Sequence, residues 1–439
     1  MFGNNPDKNS IGRRKFLGTL AGFGVSAGVL GLMTGEAYAD FINDPKREAP
    51  YIRSYLHTNH QEVVERGATP ERTPVYDTMP RNQWVRIKSA QDARRQVAKQ
   101  VRARNEDIQT YVTTNSNGEK QIDVHVYDWN DTINKTTLTE IEDQVSGSVD
   151  GVAGRGTENE ESVQGIQVSV NGYSPELYGA RTRTIEPDSL GPLNHFWDSW
   201  DEVPAGAAMG ATDEIVEPPA PSNLDEVGLG TTGTPIDGNK MTVAAHVLEA
   251  AAGNVDDLAV AAAAPWEVNS PNFPPYFDSE FEQLHYHGDP GPRPGPDASV
   301  MSGTGDIQYQ IANYGGATYG DIWGSVSQTT LERIEDDGTN QYETFESQGA
   351  RSGKHSNFDI RGVNNLGFVA KQVMAPGDSG GPFHIDNNYP FFRGGDNIGI
   401  DSGTNWNDIA GIVQGGIPGE PITIAHSMHR IETDTGLEV

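Results

Sequence analysis

From about residue 190 to the C-terminus the chain is cut into short apolar runs by glycine-rich turns, and a helical period is almost absent. A helix needs roughly ten residues or more with one apolar face, whereas a strand is complete in about four to eight. That texture restricts residues 191–439 to an all-β barrel or sandwich with few helices. The chain carries 51 Gly, 15 Tyr, 14 Phe and 7 Trp, which supply the turns and the bulky apolar groups of a folded protein despite its acidity. The Pro-rich stretch 265–296 has no period and reads as a long surface loop.

The first 190 residues read differently. Arg13-Arg14-Lys15-Phe16-Leu17, an apolar but Gly-diluted stretch from Phe16 to Leu32, and Ala37-Tyr38-Ala39 before Asp40 have the layout of a twin-arginine export signal over residues 1–39. The stretch is shorter than the roughly 20 apolar residues a membrane span requires. Secretion to the cell exterior is therefore expected, with no membrane partner once the signal is removed. Residues 40–190 form a small α+β region. Residues 40–86 show no period. Ser89 and Asp92 have the spacing of a capping box, and Ala90, Ala93, Val97 and Val101 recur at helical spacing. Arg94, Arg95, Lys99, Arg102 and Arg104 make the rest of that helix basic, either as a solvated face or as a surface that docks on the acidic second half. Ile108–Val112, a turn at 115–118 and Ile122–Val126 predict a hairpin, and Ile166–Val170 a further strand. The region is expected to be a propeptide or a permanent accessory domain, with a propeptide making intramolecular contact with the rest.

Charge narrows the partners. Lys and Arg number 31 against 62 Asp and Glu, a formal charge of −31. Such a surface repels nucleic acid and anionic lipid, so neither is an expected partner. Residues 200–439 alone hold 9 Lys/Arg and 35 Asp/Glu, a coat suited to strong salt, where self-repulsion is screened. The chain has no cysteine, which excludes disulfides, a thiolate nucleophile and Cys-based metal centres. His285, His287 and Asp289 lack the spacing of a metal site, and Asp336–Asn340 lacks a calcium-loop pattern and reads as a turn. No cofactor and no metal are expected.

One run is hard to explain as packing: Gly377-Asp378-Ser379-Gly380-Gly381-Pro382. Three glycines around a serine allow a tight turn in conformations open mainly to glycine. Such a turn can aim the N–H groups of Gly377 and Ser379 at one point, as an oxyanion hole requires. A serine hydroxyl is a poor nucleophile without a base in hydrogen-bond reach. Among 11 histidines, His246 ends the apolar run Met241-Thr242-Val243-Ala244-Ala245, whose small residues leave its ring uncovered.

Thr242–His246 and Gly377–Pro382, in that order, resemble the histidine and serine motifs of the chymotrypsin-like serine proteases. The resemblance covers roughly residues 200–439. It implies a double six-stranded antiparallel β-barrel and a secreted endopeptidase acting on polypeptide through a Ser379–His246–Asp triad. The implied Asp is Asp297, which leads Ala298-Ser299-Val300-Met301, with Asp306 as the competitor. Gly228–Gly233 is similar to an early strand of the first barrel, and Gly349–Gly353 to a turn before the serine segment. Ala410–Gly416, with Val413, Gln414 and Gly415, resembles the strand that binds the substrate backbone, and Ile424–Ile431 the terminal helix. The pocket-base position is Val373, which offers no counter-charge to Lys or Arg and implies a preference for apolar side chains. No Ile-Val-Gly-Gly start occurs near Val203–Gly206, so a new N-terminus pairing with Asp378 is not expected. A non-catalytic binding module and an esterase-like hydrolase using the same triad are the alternatives.

Overall fold

The computed structural model describes residues 48–101, 108–128, 135–155, 160–177, 180–182, 202–211, 227–238, 240–247, 259–262, 279–287, 298–303, 306–313, 317–339, 343–350, 352–372, 374–375, 377–387, 406–417 and 420–439. Residues 1–39, the expected export signal, lie outside that set. The N-terminal region carries β1 (Ala49–His57), α1 (His60–Arg66), β2 (Arg72–Met79), α2 (Arg81–Val101) and β3 (Ile108–Thr114). It continues with β4 (Lys120–Tyr127), α3 (Lys135–Glu142), β5 (Ser148–Ala153), β6 (Glu161–Tyr173) and β7 (Glu176–Leu177). Next come β8 (Ala180–Thr182), β9 (Glu202–Ala205), β10 (Ala208–Ala211), β11 (Val227–Thr231) and β12 (Pro235–Ile236). After these follow β13 (Lys240–Val243), β14 (Ala259–Ala262), β15 (Ser279–His287) and β16 (Ala298–Gly303). The last part holds β17 (Asp306–Ala312), β18 (Thr318–Val326), α4 (Gln328–Asp337), β19 (Glu343–Gly349), β20 (Gly353–Ser356) and β21 (Ile360–Val363). It ends with β22 (Gly367–Ala370), β23 (Pro382–Asn387), β24 (Trp406–Gly416), β25 (Thr423–Ser427) and α5 (Met428–Thr435).

The protein is mainly β, as the turn-rich texture implies. Among the described residues its strands join one 17-stranded and one 8-stranded sheet, and no closed six-stranded barrel occurs. The smaller sheet holds β8 and β10 to β16, and the larger holds β1 to β7, β9 and β17 to β25. The larger sheet is mixed, with β4–β6, β9–β17 and β18–β24 parallel. N-terminal strands extend it: β1 pairs with β18 at Ser54–Val326, and β3 meets β21 at Val112–Val363. One core locks the two sheets together. Ile236, Ala298 and Val300 of the smaller sheet pack with Ile311, Ile409 and Ile412 of the larger and with Met428 and Ile431 of α5. A second core of Phe345, Phe368, Phe383, Val413 and Ala425 lies beneath the serine segment.

Several local expectations hold. The hairpin forms, with Ile108 opposite Val126 and Gly118 at φ 79° closing its turn. Ile166–Val170 lies within β6 and Ala410–Gly416 within β24. Ala90, Ala93, Val97 and Val101 face the hairpin through Val112, Ile122, Val124 and Val126.

Others change. The helix starts at Arg81, after Pro80, so Ser89 and Asp92 lie inside it and cap nothing. Asp92 accepts instead from the Val152 amide at 3.1 Å and from Arg155. Residues 40–86 lack a period because β1 and β2 are stabilised by pairing with each other in an eight-position register, and α1 is only seven residues long. Part of the expected 265–296 loop is β15, which pairs with β14 and β16; the rest of it is outside the described residues. Ile424–Ile431 is a strand and then a helix, because Ser427 accepts from the Arg430 amide and starts α5 there. Asp336 is in the last turn of α4, not a free turn. The basic helix does dock on the acidic half, but through Arg86, Lys88 and Arg94, which meet Asp336, Glu332 and Asn365. Arg95 and Lys99 are exposed.

Candidate active site

Strand β13 runs between β12 and β16, with Met241, Thr242 and Val243 fully buried. Past its end Ala244 and Ala245 are also fully buried, a helical turn begins at Ala245, and His246 is 6% exposed. Small residues there let the serine turn come close. A Cβ on Gly380 would lie 3.2 Å from the Ala244 amide nitrogen, and one on Gly230 would lie 2.8 Å from Val247 and 3.1 Å from the Ser379 carbonyl. The structure thus brings the segments bearing His246 and Ser379 together, although 132 positions separate them in the chain.

The serine turn is two successive reverse turns. Asp378 donates to Ala375 at 3.0 Å and Gly381 donates to Asp378 at 2.9 Å. Gly377 at φ 104° and Gly380 at φ 93° take conformations that side chains disfavour. Both walls hold the turn. On one side Thr231 of β11 donates its amide to the Ser379 carbonyl and its hydroxyl to the Gly377 carbonyl, both at 2.8 Å. On the other, Gly380 donates to Val413 at 2.8 Å and Val413 donates to Gly381 at 2.9 Å, continuing the β23–β24 ladder. The Asp378 carboxylate accepts from the amides of Ser352 at 3.0 Å and Ala375 at 2.7 Å.

Among the described residues, the amides of Asp378, Gly380 and Gly381 are spent on backbone acceptors while those of Gly377 and Ser379 have none. Ser379 is fully buried, and buried N–H groups without an acceptor are rare because each forfeits the bond it made to water. The Ser379 amide, buried, and the Gly377 amide, half-buried, are two donors on one turn suited to receive a developing negative charge. The Ser379 hydroxyl itself donates to the Gln414 carbonyl at 2.9 Å. In this state its proton is turned toward β24 rather than toward an imidazole.

The remaining sequence candidates fall as follows. Asp297 lies outside the described residues; Ala298, after it, opens β16, and Ser299 is paired with Val243, three residues before His246. Asp306 opens β17 in the other sheet, opposite Glu202. Val373 is also outside the described residues. Val413, Gln414 and Gly415 lie in sequence along β24, all buried. His285 and His287 are on β15, and no metal-holding group of side chains occurs among the described residues. A cavity of about 450 Å³ lies away from Ser379, at the seam of β3 and β4 with β21 and β22, lined by Thr113, Asp123, His125, Arg361 and Lys371 among others.

Composition counted the charges but did not pair them. The N-terminal region inserts cations among carboxylates of the second half. Arg53 meets Glu343 at 3.2 Å, Lys88 meets Glu332 at 2.7 Å, and Lys120 lies between Glu335 and Asp336. Every one of these side chains is nine-tenths or more buried. Burial pushes Asp408, which accepts from Asn387 in the same network as Arg53, up to about 6.

No protein-family model matches the chain, and no curated protein matches it. Among solved structures it is similar to the serine protease of a human pathogenic astrovirus, at 13% identity and a TM-score of 0.26, over 55% of this chain and 97% of that one.

Proposed function

We propose that the protein is a chymotrypsin-like serine endopeptidase. The observation that carries this is the serine turn: pinned between β11 and β24, set against the segment bearing His246, and holding two amides without acceptors. In this reading Ser379 attacks a peptide carbonyl, His246 takes the proton and returns it to the leaving amine, and Asp297 orients the ring. The amides of Gly377 and Ser379 stabilise the oxyanion, each worth about 3–4 kcal/mol. The edge of β24 at Val413, Gln414 and Gly415 receives the substrate backbone by strand addition. Val373 forms an apolar pocket base. The two sheets stand for the two barrels of this architecture, the larger widened by N-terminal strands. Export by the twin-arginine route completes the proposal.

The test is labelling by a fluorophosphonate, with the modified peptide mapped by mass. One adduct on Ser379 is expected, absent from Ser379→Ala and reduced at least a hundredfold in rate in His246→Ala. An adduct elsewhere, or labelling that survives Ser379→Ala, rejects the assignment. The buried Ser379 hydroxyl, bonded to a carbonyl, favours a second reading: a non-catalytic binding module. Failure of the protein both to react with the probe and to cleave casein in strong salt would select it.

A further inference from the structure

Of the 9 Lys and Arg residues between positions 200 and 439, the described ones are Lys240, Arg333, Lys354, Arg361, Lys371 and Arg430. Lys240 meets Asp237, Arg333 meets Glu343, Lys354 meets Glu346 and Arg430 meets Asp434. The side chains of Arg361 and Lys371 have no ion-pair or hydrogen-bond partner among the described residues. In a stretch with 35 Asp and Glu, unpaired cations are the exception. Both line the cavity of about 450 Å³ at the seam of β3 and β4 with β21 and β22. Arg361 sits where the β21–β22 register shifts, and Lys371 follows β22, its amide donating to Asp359 at 2.8 Å. The two cations thus share the open end of one hairpin, and both are exposed.

The strands from the N-terminal region bring the opposite chemistry. Asp123 and His125 alternate along β4 and so share one face; both line the cavity. The Asp123 carboxylate accepts from Thr113 at 3.1 Å, from Gln121 at 2.9 Å and from Ser169. Those three donors fix it in place, yet among the described residues no cation pairs with it. A carboxylate offers about four acceptor positions, so one remains. His125 is 5% exposed, and hydroxyl protons set its tautomer. Tyr111 donates to Gln109 at 2.7 Å, so the proton in its 3.1 Å bond with Tyr127 belongs to Tyr127. Tyr127 then has none for His125, whose Nδ1 donates to it at 3.3 Å. That leaves Nε2 as an acceptor with no partner among the described residues. Desolvation pushes the ring down to about 3, so it is neutral. Buried polar atoms without partners are rare, and a ligand donor in the cavity would supply the missing one.

One cavity therefore holds acceptors on its buried side and cations at its exposed side, and the two sets do not neutralise each other. A simple cation would leave Arg361 and Lys371 unpaired, and a simple anion would leave Asp123 and His125 unserved. A molecule bearing both charges satisfies both. We propose that this cavity binds a small zwitterion with an α-ammonium and a carboxylate, either a free amino acid or a short peptide with free termini. The ammonium donates to Asp123 and to His125 Nε2, and the carboxylate accepts from Arg361 and Lys371, as charge-assisted bonds. Val369 and Ile422 supply an apolar surface for its side chain. Because β4 belongs to the N-terminal region and β21 and β22 to the second half, the ligand binds only the docked form and so stabilises the joint. The proposal stands independently of the serine-protease reading.

The experiment is calorimetric titration of the full chain, in salt that keeps it folded, with L-leucine, Ala-Leu, N-acetyl-leucine and leucinamide. L-leucine or Ala-Leu should bind saturably at millimolar concentration, and the tighter of the two identifies an amino acid or a peptide as the ligand. N-acetyl-leucine lacks the ammonium and leucinamide lacks the carboxylate, so each should bind about tenfold or more weakly. Asp123→Asn and Arg361→Gln/Lys371→Gln should each lose about tenfold or more in affinity for the zwitterion. Saturating zwitterion should raise the urea midpoint of wild type and leave that of the double variant unmoved. Ser379→Ala should bind as wild type does; loss of binding there places the ligand at the serine turn and overturns the proposal. Equal binding of either singly charged analogue, unchanged affinity in the double variant, or no saturable binding of either zwitterion overturns it as well. Arg361 and Lys371 are exposed, so their double variant decides even if Asp123→Asn does not fold.

Discussion

The joint between the N-terminal region and the second half can be tested at Lys120. Its side chain is 3% exposed, and its Nζ lies 3.0 Å from Asp336 and in direct contact with Glu335, whose side chains are 1% and 2% exposed. Lys120→Met keeps the length and removes the charge. Asp336 retains Arg86, which donates at 2.9 Å, so Glu335 becomes the uncompensated group, left with the Thr114 hydroxyl at 2.8 Å. Burial already pushes the Glu335 pKa above its ordinary 4.5, and Lys120 opposes that push. Without Lys120 the carboxylate either stays ionised and buried, at about 3–5 kcal/mol, or takes up a proton. Protonation costs about 1.4 kcal/mol per unit of pH above the ordinary value, hence about 3 kcal/mol at pH 7 and under about 1 kcal/mol at pH 5. The cheaper route sets the limit. Urea unfolding should therefore show a loss of about 3 kcal/mol at pH 7 that mostly disappears at pH 5. Lys120→Met/Glu335→Gln should recover most of it. A loss below about 1 kcal/mol at pH 7, or one that does not change with pH, would refute the argument that this joint is held by a buried, desolvated pair.

Two further outcomes follow from the site and from the N-terminal core. Gly380→Ala places a Cβ 2.2 Å from the Thr231 carbonyl at φ 93°, so it should lower the urea midpoint and abolish labelling of Ser379; a variant of wild-type stability that labels normally would show that the turn is not pinned between β11 and β24. His57 and His125 are buried in β1 and β4, and desolvation pushes each down to about 3. Their folded pKa values lie below the unfolded value near 6.5, so the unfolded chain binds protons first as pH falls. The stability they contribute is full above about pH 6.5 and is lost toward pH 3, at about 1.4 kcal/mol per pH unit for each group. His125→Gln should flatten that slope by close to one proton, and an unchanged slope between pH 6.5 and 4 would contradict it.

What was legible in the sequence was what neighbouring residues decide among themselves. Gly377 and Gly380 mark a turn because positive φ is a property of single residues. The 108–126 hairpin and the apolar stripe of α2 follow from periods of two and 3.6. The same local logic misplaced the helix start at Ser89, since a capping pattern inside a helix is indistinguishable by spacing from one at its end. Tertiary structure decided the rest, because it depends on which distant edges meet. That Ala244, two residues before His246, comes close to Gly380 depends on the core joining the two sheets. That β1 extends the sheet of β18, and that Lys120 finds Glu335, are contacts over more than two hundred positions. Composition could count those charges and could not pair them. β7 and β8 are the sharpest case. Glu176–Leu177 and Ala180–Thr182 show no period, yet they pair with β24 of one sheet and β11 of the other. A residue alphabet records how a segment can bend, while only the packed chain settles which distant strand it pairs with.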